Sequence, residues 1–118
     1  MTTTLKFNEF PPGLNGRKGL MRMHWSARTK LVNKYCWLIK AQRYRKHKGE
    51  VVIFYRRFSR RLMDWDNYVA SFKIIGDALV KCGVITDDSP GVIKIFIPQQ
   101  VQIEKGDEQE LQVQITDQ

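Results

Sequence analysis

Only two cysteines and two histidines occur among the 118 residues. Cys36 and Cys82 lack Cys-x-x-Cys spacing, and His24 and His47 do not combine with them in a zinc-like arrangement. Two reduced structural thiols are expected, rather than a disulfide or a zinc centre. No stretch approaches the ~20 apolar residues of a membrane span. The N-terminal Met1-Thr2-Thr3-Thr4-Leu5-Lys6 has no apolar core for a signal peptide, so a soluble, cytoplasmic protein is expected. No Gly-rich phosphate loop of Walker type appears, and no small-molecule cofactor is expected. Repeats and linkers are also missing, which leaves residues 1–118 as one domain with one core. Acid is the scarcer charge: 12 Asp and Glu stand against 20 Lys and Arg, a net charge of +8. A polyanion, most simply nucleic acid, is the partner that such a balance attracts.

The charges that are present are segregated. From Arg17 to Met63 there are fifteen Lys and Arg and one acid, Glu50. From Asp64 to Asp88 five of the twelve acids follow, and the tail from Gln99 holds five acids and one lysine. Arg17 and Lys18, in a Gly-rich loop over residues 13–25, are candidate phosphate contacts. So are Arg56, Arg57, Arg60 and Arg61, immediately ahead of the acidic island.

The hydrophobic pattern predicts a strand over Thr4–Phe10, stopped by Pro11-Pro12-Gly13. A helix follows from a Ser26 cap to about Lys46. Its apolar stripe is Leu31, Tyr35, Leu38 and Ile39, and Trp37 lies well off it. Val51–Phe58 is apolar on both faces at its start and reads as a central strand. A second helix spans 66–82, with Phe72, Ile75, Gly76 and Leu79 on its buried face and Gly83 as C-cap. Val92–Ile103 and Leu111–Ile115 read as a closing hairpin around Lys105-Gly106-Asp107. In the last strand, alternation with Gln112 and Gln114 implies one wet face. The expected fold is α+β: a small, mostly antiparallel sheet of about four strands packed with two main helices.

Asp64 and Asp66 stand where the chain enters the second helix, and in extended backbone an Asp-x-Asp pair points to one side. Lys73 and Asp77 follow Asp66 by seven and eleven residues, within about 20° of whole turns, so the three share a line at the rim of the core. Asp87-Asp88 can supply a third carboxylate. Three gathered carboxylates repel unless a cation sits among them. A hard cation such as Mg²⁺ takes oxygen ligands and can activate water while stabilising charge on a phosphate. An acidic island beside a basic field is therefore the pattern of a metal-dependent nuclease. An ordinary i,i+4 ion pair for Lys73 and Asp77, and helix capping for Asp66, are the plainer alternatives.

Asp64-x-Asp66-Asn67, Lys73, Asp77-Ala78-Leu79, Gly83 and Asp87-Asp88 together resemble the RusA family of Holliday-junction resolvases of phages and prophages. The likeness is close over roughly residues 60–92. It extends more loosely to Pro11-Pro12-Gly13-Leu14-Asn15, the first helix and the closing strands. It implies a homodimeric, Mg²⁺-dependent endonuclease that nicks four-way DNA junctions symmetrically in recombination and repair. On that likeness Asp64, Asp66 and Asp88 are the metal-binding aspartates, with Asp87 a further candidate, and Lys73 is the essential lysine. The chain departs from the family in the spacer between Asp66 and Lys73, which is longer by about one helical turn. The competing expectation is a basic nucleic-acid-binding module without catalysis, its carboxylates serving only as caps.

Overall fold

In the computed structural model, which describes residues 1–15 and 19–118, Thr3, Leu5 and Phe7 are buried and their neighbours exposed. That alternation makes β1 (Thr2–Phe7), two residues earlier than the hydrophobic pattern suggested. A single 3₁₀ turn, Leu20–Arg22, precedes α1 (Trp25–Lys40). The N-cap is His24 rather than Ser26: His24 Nδ1 accepts the Ser26 N–H at 3.2 Å. The helix stops at Lys40, well short of Lys46, for a tertiary reason. The Gln42 side chain bonds both the N–H and the C=O of Lys6, at 2.9 and 2.8 Å, and draws the chain alongside β1.

β2 (Val51–Ser59) leads into α2 (Trp65–Lys81), which returns the chain to β3 (Ile93–Gln102), and β4 (Glu110–Asp117) closes the domain. The sheet order is β1-β4-β2-β3. β4 runs antiparallel to both β1 and β2, whereas β3 is parallel to β2. The expected closing hairpin does not form. The turn around Gly106 (φ +105°) is present, but β3 and β4 lie on opposite sides of β2. Parallel neighbours need a crossover, and α2 is that crossover. The fold is α+β, two helices packed on a mixed, mainly antiparallel four-stranded sheet.

One face of the sheet and the two helices bury Leu5, Ile53, Val113, Ile115, Ile39, Ile75 and Leu79. Tyr55 and Tyr68 stack inside this core at 4.8 Å. The Tyr68 hydroxyl donates to the Tyr55 carbonyl (2.6 Å), and the Tyr55 hydroxyl meets Ser71 Oγ (2.8 Å). Burial pushes both phenols well above their ordinary range, so they stay neutral hydrogen-bonding struts between β2 and α2. Gly83, at φ +75°, ends α2 in the left-handed conformation that glycine tolerates best.

Cys36 and Cys82 form a disulfide between the helix pair, with Cα atoms 6.0 Å apart. The expectation of two free thiols is therefore corrected. Their separation of 46 residues disguised a pairing that the α1–α2 packing creates. A second unforeseen link is His47, almost fully buried. Its Nε2 lies 2.8 Å from Thr3 Oγ1 and its Nδ1 2.7 Å from Asp117 Oδ1. This network ties the segment after α1 to both β1 and β4.

Candidate active site

Met63 is the last residue before the acidic island, and β3 holds it. Gln100 Nε2 donates to the Met63 carbonyl (2.9 Å), and Gln100 Oε1 accepts the Met63 N–H (2.8 Å). A side-chain amide thus imitates a strand partner and fixes the angle at which the chain enters α2. Asp64 is the N-cap residue, yet its carboxylate makes no capping hydrogen bond. Asp66 lies in the first turn, where its Oδ1 accepts the Asn67 N–H (2.9 Å) and its charge suits the helix dipole. Both aspartates are exposed, and neither forms an ion pair among the described residues. Trp65, between them, is more than half exposed.

The Pro11–Asn15 loop packs on the same helix start. Asn67 Oδ1 accepts the Asn15 N–H at 3.1 Å. A Cβ added at Gly13 would stand 2.9 Å from Met63 Cε and 3.2 Å from Asn67 O, so a side chain there would require Met63 to turn aside and the loop to shift by a few tenths of an ångström. Two motif fragments more than fifty residues apart thereby become one surface. Arg17 and Lys18 fall outside the described residues.

Further along α2, Lys73 Nζ lies 3.1 Å from Asp77 Oδ1 and 3.3 Å from Asp88 Oδ2. The Asp77 hydrogen bond is the main reason that the ammonium is held above its ordinary lysine range, with Asp88 adding to it. Asp88 packs against the helix at Gly76, where a Cβ would make ordinary contact with the Asp88 Cβ and Oδ2 at 3.6 Å. Asp87 plays another part. Its Oδ1 accepts the Asp88 N–H (2.9 Å), and a bond from Ser89, with that backbone contact, keeps its carboxyl below the usual carboxylate range. Asp87 shapes the loop that presents Asp88.

The expected gathering of Asp64, Asp66 and Asp88 is not formed. Among the described residues no three His, Cys, Asp or Glu side chains are grouped to hold a metal. The reason is axial distance. Asp88 packs between Lys73 and Gly76, seven to ten residues beyond Asp66, roughly 10–15 Å along the helix at 1.5 Å per residue. The seven residues from Asp66 to Lys73 thus set Lys73 and Asp88 apart from the aspartates at the helix start. What remains for a hard cation is the Asp64/Asp66 pair. Their oxygen chemistry fits Mg²⁺, which commonly takes one or two carboxylates together with waters and substrate phosphates.

The arginine tract divides in the same way, because side chains alternate across a strand. Arg56 projects on the open sheet face, over Phe54 and bonded to Gln99 (2.7 Å) and Gln114 (2.7 Å). Arg57 lies on the opposite, helix-covered face, its guanidinium 3.8 Å over the Phe10 ring. Half burial lowers its pKa from the ordinary arginine value. Arg60 donates to the Asp107 carbonyl (3.2 Å), and Arg61 is exposed immediately before the acidic island. Gln100, Gly13 and Asn15 are the site residues that sequence reasoning did not assign. Only the Pro-Pro-x-x-Asn start hinted at the last two.

No protein-family model matches this chain, and no curated protein matches it.

Proposed function

We propose that this protein is a Mg²⁺-dependent endonuclease acting on branched DNA, of the RusA type that its motif resembles. The observation that carries the reading is Asp88 folded onto Gly76 with its Oδ2 on Lys73. Fifteen residues of sequence separate that aspartate from the lysine, and the fold brings the loop carboxylate against Lys73 beside Asp77 at the partly exposed rim of α2.

Asp64 and Asp66 would hold Mg²⁺ together with a substrate phosphate, and Arg61 lies at hand to meet the backbone. The bound ion would supply a water activated for attack and a charge to stabilise the phosphate. Lys73, kept protonated by Asp77 and Asp88 and about two turns further along α2, would hold a neighbouring phosphate of the substrate strand rather than the one at the ion. In this arrangement Asp88 positions Lys73 rather than ligating the ion.

A homodimer belongs to the same reading. On the sheet face away from the helices, Val52 pairs with Ile95, Phe54 with Ile97 and Phe58 with Val101, and Ile95 and Val101 are exposed. A second copy is the occupant that would cover this patch and supply the second nick of a symmetric cleavage. A cytoplasmic site of action suits a DNA substrate; there the Cys36–Cys82 pair would meet reducing conditions. No helix among the described residues is long and apolar enough to cross a membrane.

The test is incubation with a synthetic four-way junction, a flap and a linear duplex, with and without Mg²⁺. Metal-dependent cutting of the branched substrates supports the reading. Binding with no cleavage under any divalent cation would favour the basic binding module instead.

A further inference from the structure

Trp25, the first residue of α1, is 72 % exposed. Its indole is braced by the His24 ring, 5.4 Å away, and it forms one side of a cleft of about 350 Å³ between α1 and α2. Arg28, Asn33, Asp77 and Lys81 also line that cleft, over Val32. Lys81 is hydrogen bonded to Asn33, and Asp77 is the same residue whose Oδ1 holds Lys73. The cleft and the Lys73–Asp88 pair therefore share a wall.

An aromatic ring, a guanidinium, an amide and a carboxylate around a volume near the lower end of small-ligand sites, roughly 300–1,000 Å³, suit a heteroaromatic ligand. Arg28 and Lys81 can meet a phosphate, but a bare phosphate would leave the indole face unused. A nucleobase satisfies every element. Its ring can stack on the indole, its amino and carbonyl edges can meet Asp77 and Asn33, and its own phosphate can pair with Arg28. A base still paired within a duplex is stacked and cannot enter. A base in a flap's single strand can, and so can one freed where a bound junction is opened at its strand exchange.

We infer that Trp25 and its cleft take an unpaired nucleotide of branched DNA, stacking its base beside the Lys73–Asp77–Asp88 line. This inference rests on the nuclease reading for its substrate, and it assigns α1 the task of distinguishing branched from continuous DNA.

The experiment uses the full chain with Trp37→Phe and Trp65→Phe, so that Trp25 alone reports. Its fluorescence is titrated with a four-way junction, a single-stranded oligonucleotide and a blunt duplex, while mobility shift measures binding separately. Quenching by the junction and the single strand, and little by the duplex, is the expected result. Trp25→Ala, with its helix content checked by circular dichroism, should weaken junction binding about tenfold while Trp25→Phe restores most of it. A junction that binds and is cleaved with Trp25 fluorescence unchanged overturns this inference and leaves the nuclease reading intact. Quenching by single strands without any cleavage does the reverse. No binding of any DNA removes both.

Discussion

Gln100 and Met63 exchange two hydrogen bonds, of 2.8 and 2.9 Å, between the edge strand and the residue ahead of Asp64. The edge strand thereby sets the direction of the acidic motif without contributing a charged group to it.

Replacing Gln100 by Leu should lower stability by about 1–3 kcal/mol, through two lost bonds and unsatisfied backbone groups. It should also reduce branched-DNA cleavage without altering junction binding. Urea unfolding and a cleavage assay on the same preparation check both. Full activity alongside the stability loss would restrict the clamp to a folding role.

Asp66→Asn and Asp88→Asn should both abolish or cripple cleavage and retain junction binding, but for different reasons. The Asp66 variant should need much more Mg²⁺, having lost a ligand, whereas Asp88→Asn should leave the Mg²⁺ midpoint near that of the parent. Equal shifts in both midpoints would restore Asp88 to the metal. Asp88→Asn relieves no clustered charge and removes a partner of Lys73, so its metal-free melting point should not rise. Asp66→Asn forfeits about 0.3–1 kcal/mol of helix-dipole interaction.

Lys73 supplies a pH test. Its folded pKa is raised, so the stabilisation from Asp77 and Asp88 is fully present below the ordinary lysine value of about 10.4. It is lost as pH climbs through the raised folded value. The group is half exposed, so the effect on stability is small. Cleavage should accordingly show no descending limb from Lys73 below about pH 10. Asp77→Asn should bring such a limb to lower pH. A rate profile that falls near pH 8 in the parent and is indifferent to Asp77 would remove Lys73 from the chemistry.

The arginines should separate by face. Arg61→Ala should lower the slope of log K against log salt by about 0.9, as one phosphate contact would. Arg56→Ala should leave that slope unchanged, because Arg56 is engaged by Gln99 and Gln114 on the open sheet face. Salt titrations of junction binding read both.

Cys36→Ser with Cys82→Ser should lower the melting point measured under oxidising conditions. In the chain-entropy account a loop of this length is worth about 4 kcal/mol. Reduction of the parent should reproduce the shift. An unchanged melting point would mean that the helix pair is held by its apolar contacts alone.

Local pattern carried most of the fold. Leu111, Val113 and Ile115 alternate with glutamines and form a half-wet strand, and the apolar face of α2 was visible from Ile75, Gly76 and Leu79. What failed was long-range. Nothing local says that β4 inserts between β1 and β2, since strand alternation is equally consistent with a hairpin. His47 reads as an isolated histidine because its partners lie 44 and 70 residues away. At the candidate site, the line Lys73–Asp77 was legible from helical periodicity. The separation of Asp88 from Asp66 was not, since it depends on where a loop meets the helix. The division of Arg56 from Arg57 follows from strand alternation alone, which treating the arginines as one tract overlooked.

β1 touches the sheet only through β4, whereas β2, α2 and β3 are consecutive. Assembly can thus begin with a contiguous parallel unit that already contains the acidic line, and β1 can join the sheet only after residues more than a hundred positions downstream have arrived. Contacts of such high sequence separation form slowly. In a refolding experiment pulsed with hydrogen exchange, amides of α2 and β2 should be protected before those of β1. Protection of β1 first would show that the first and last strands seed the fold instead.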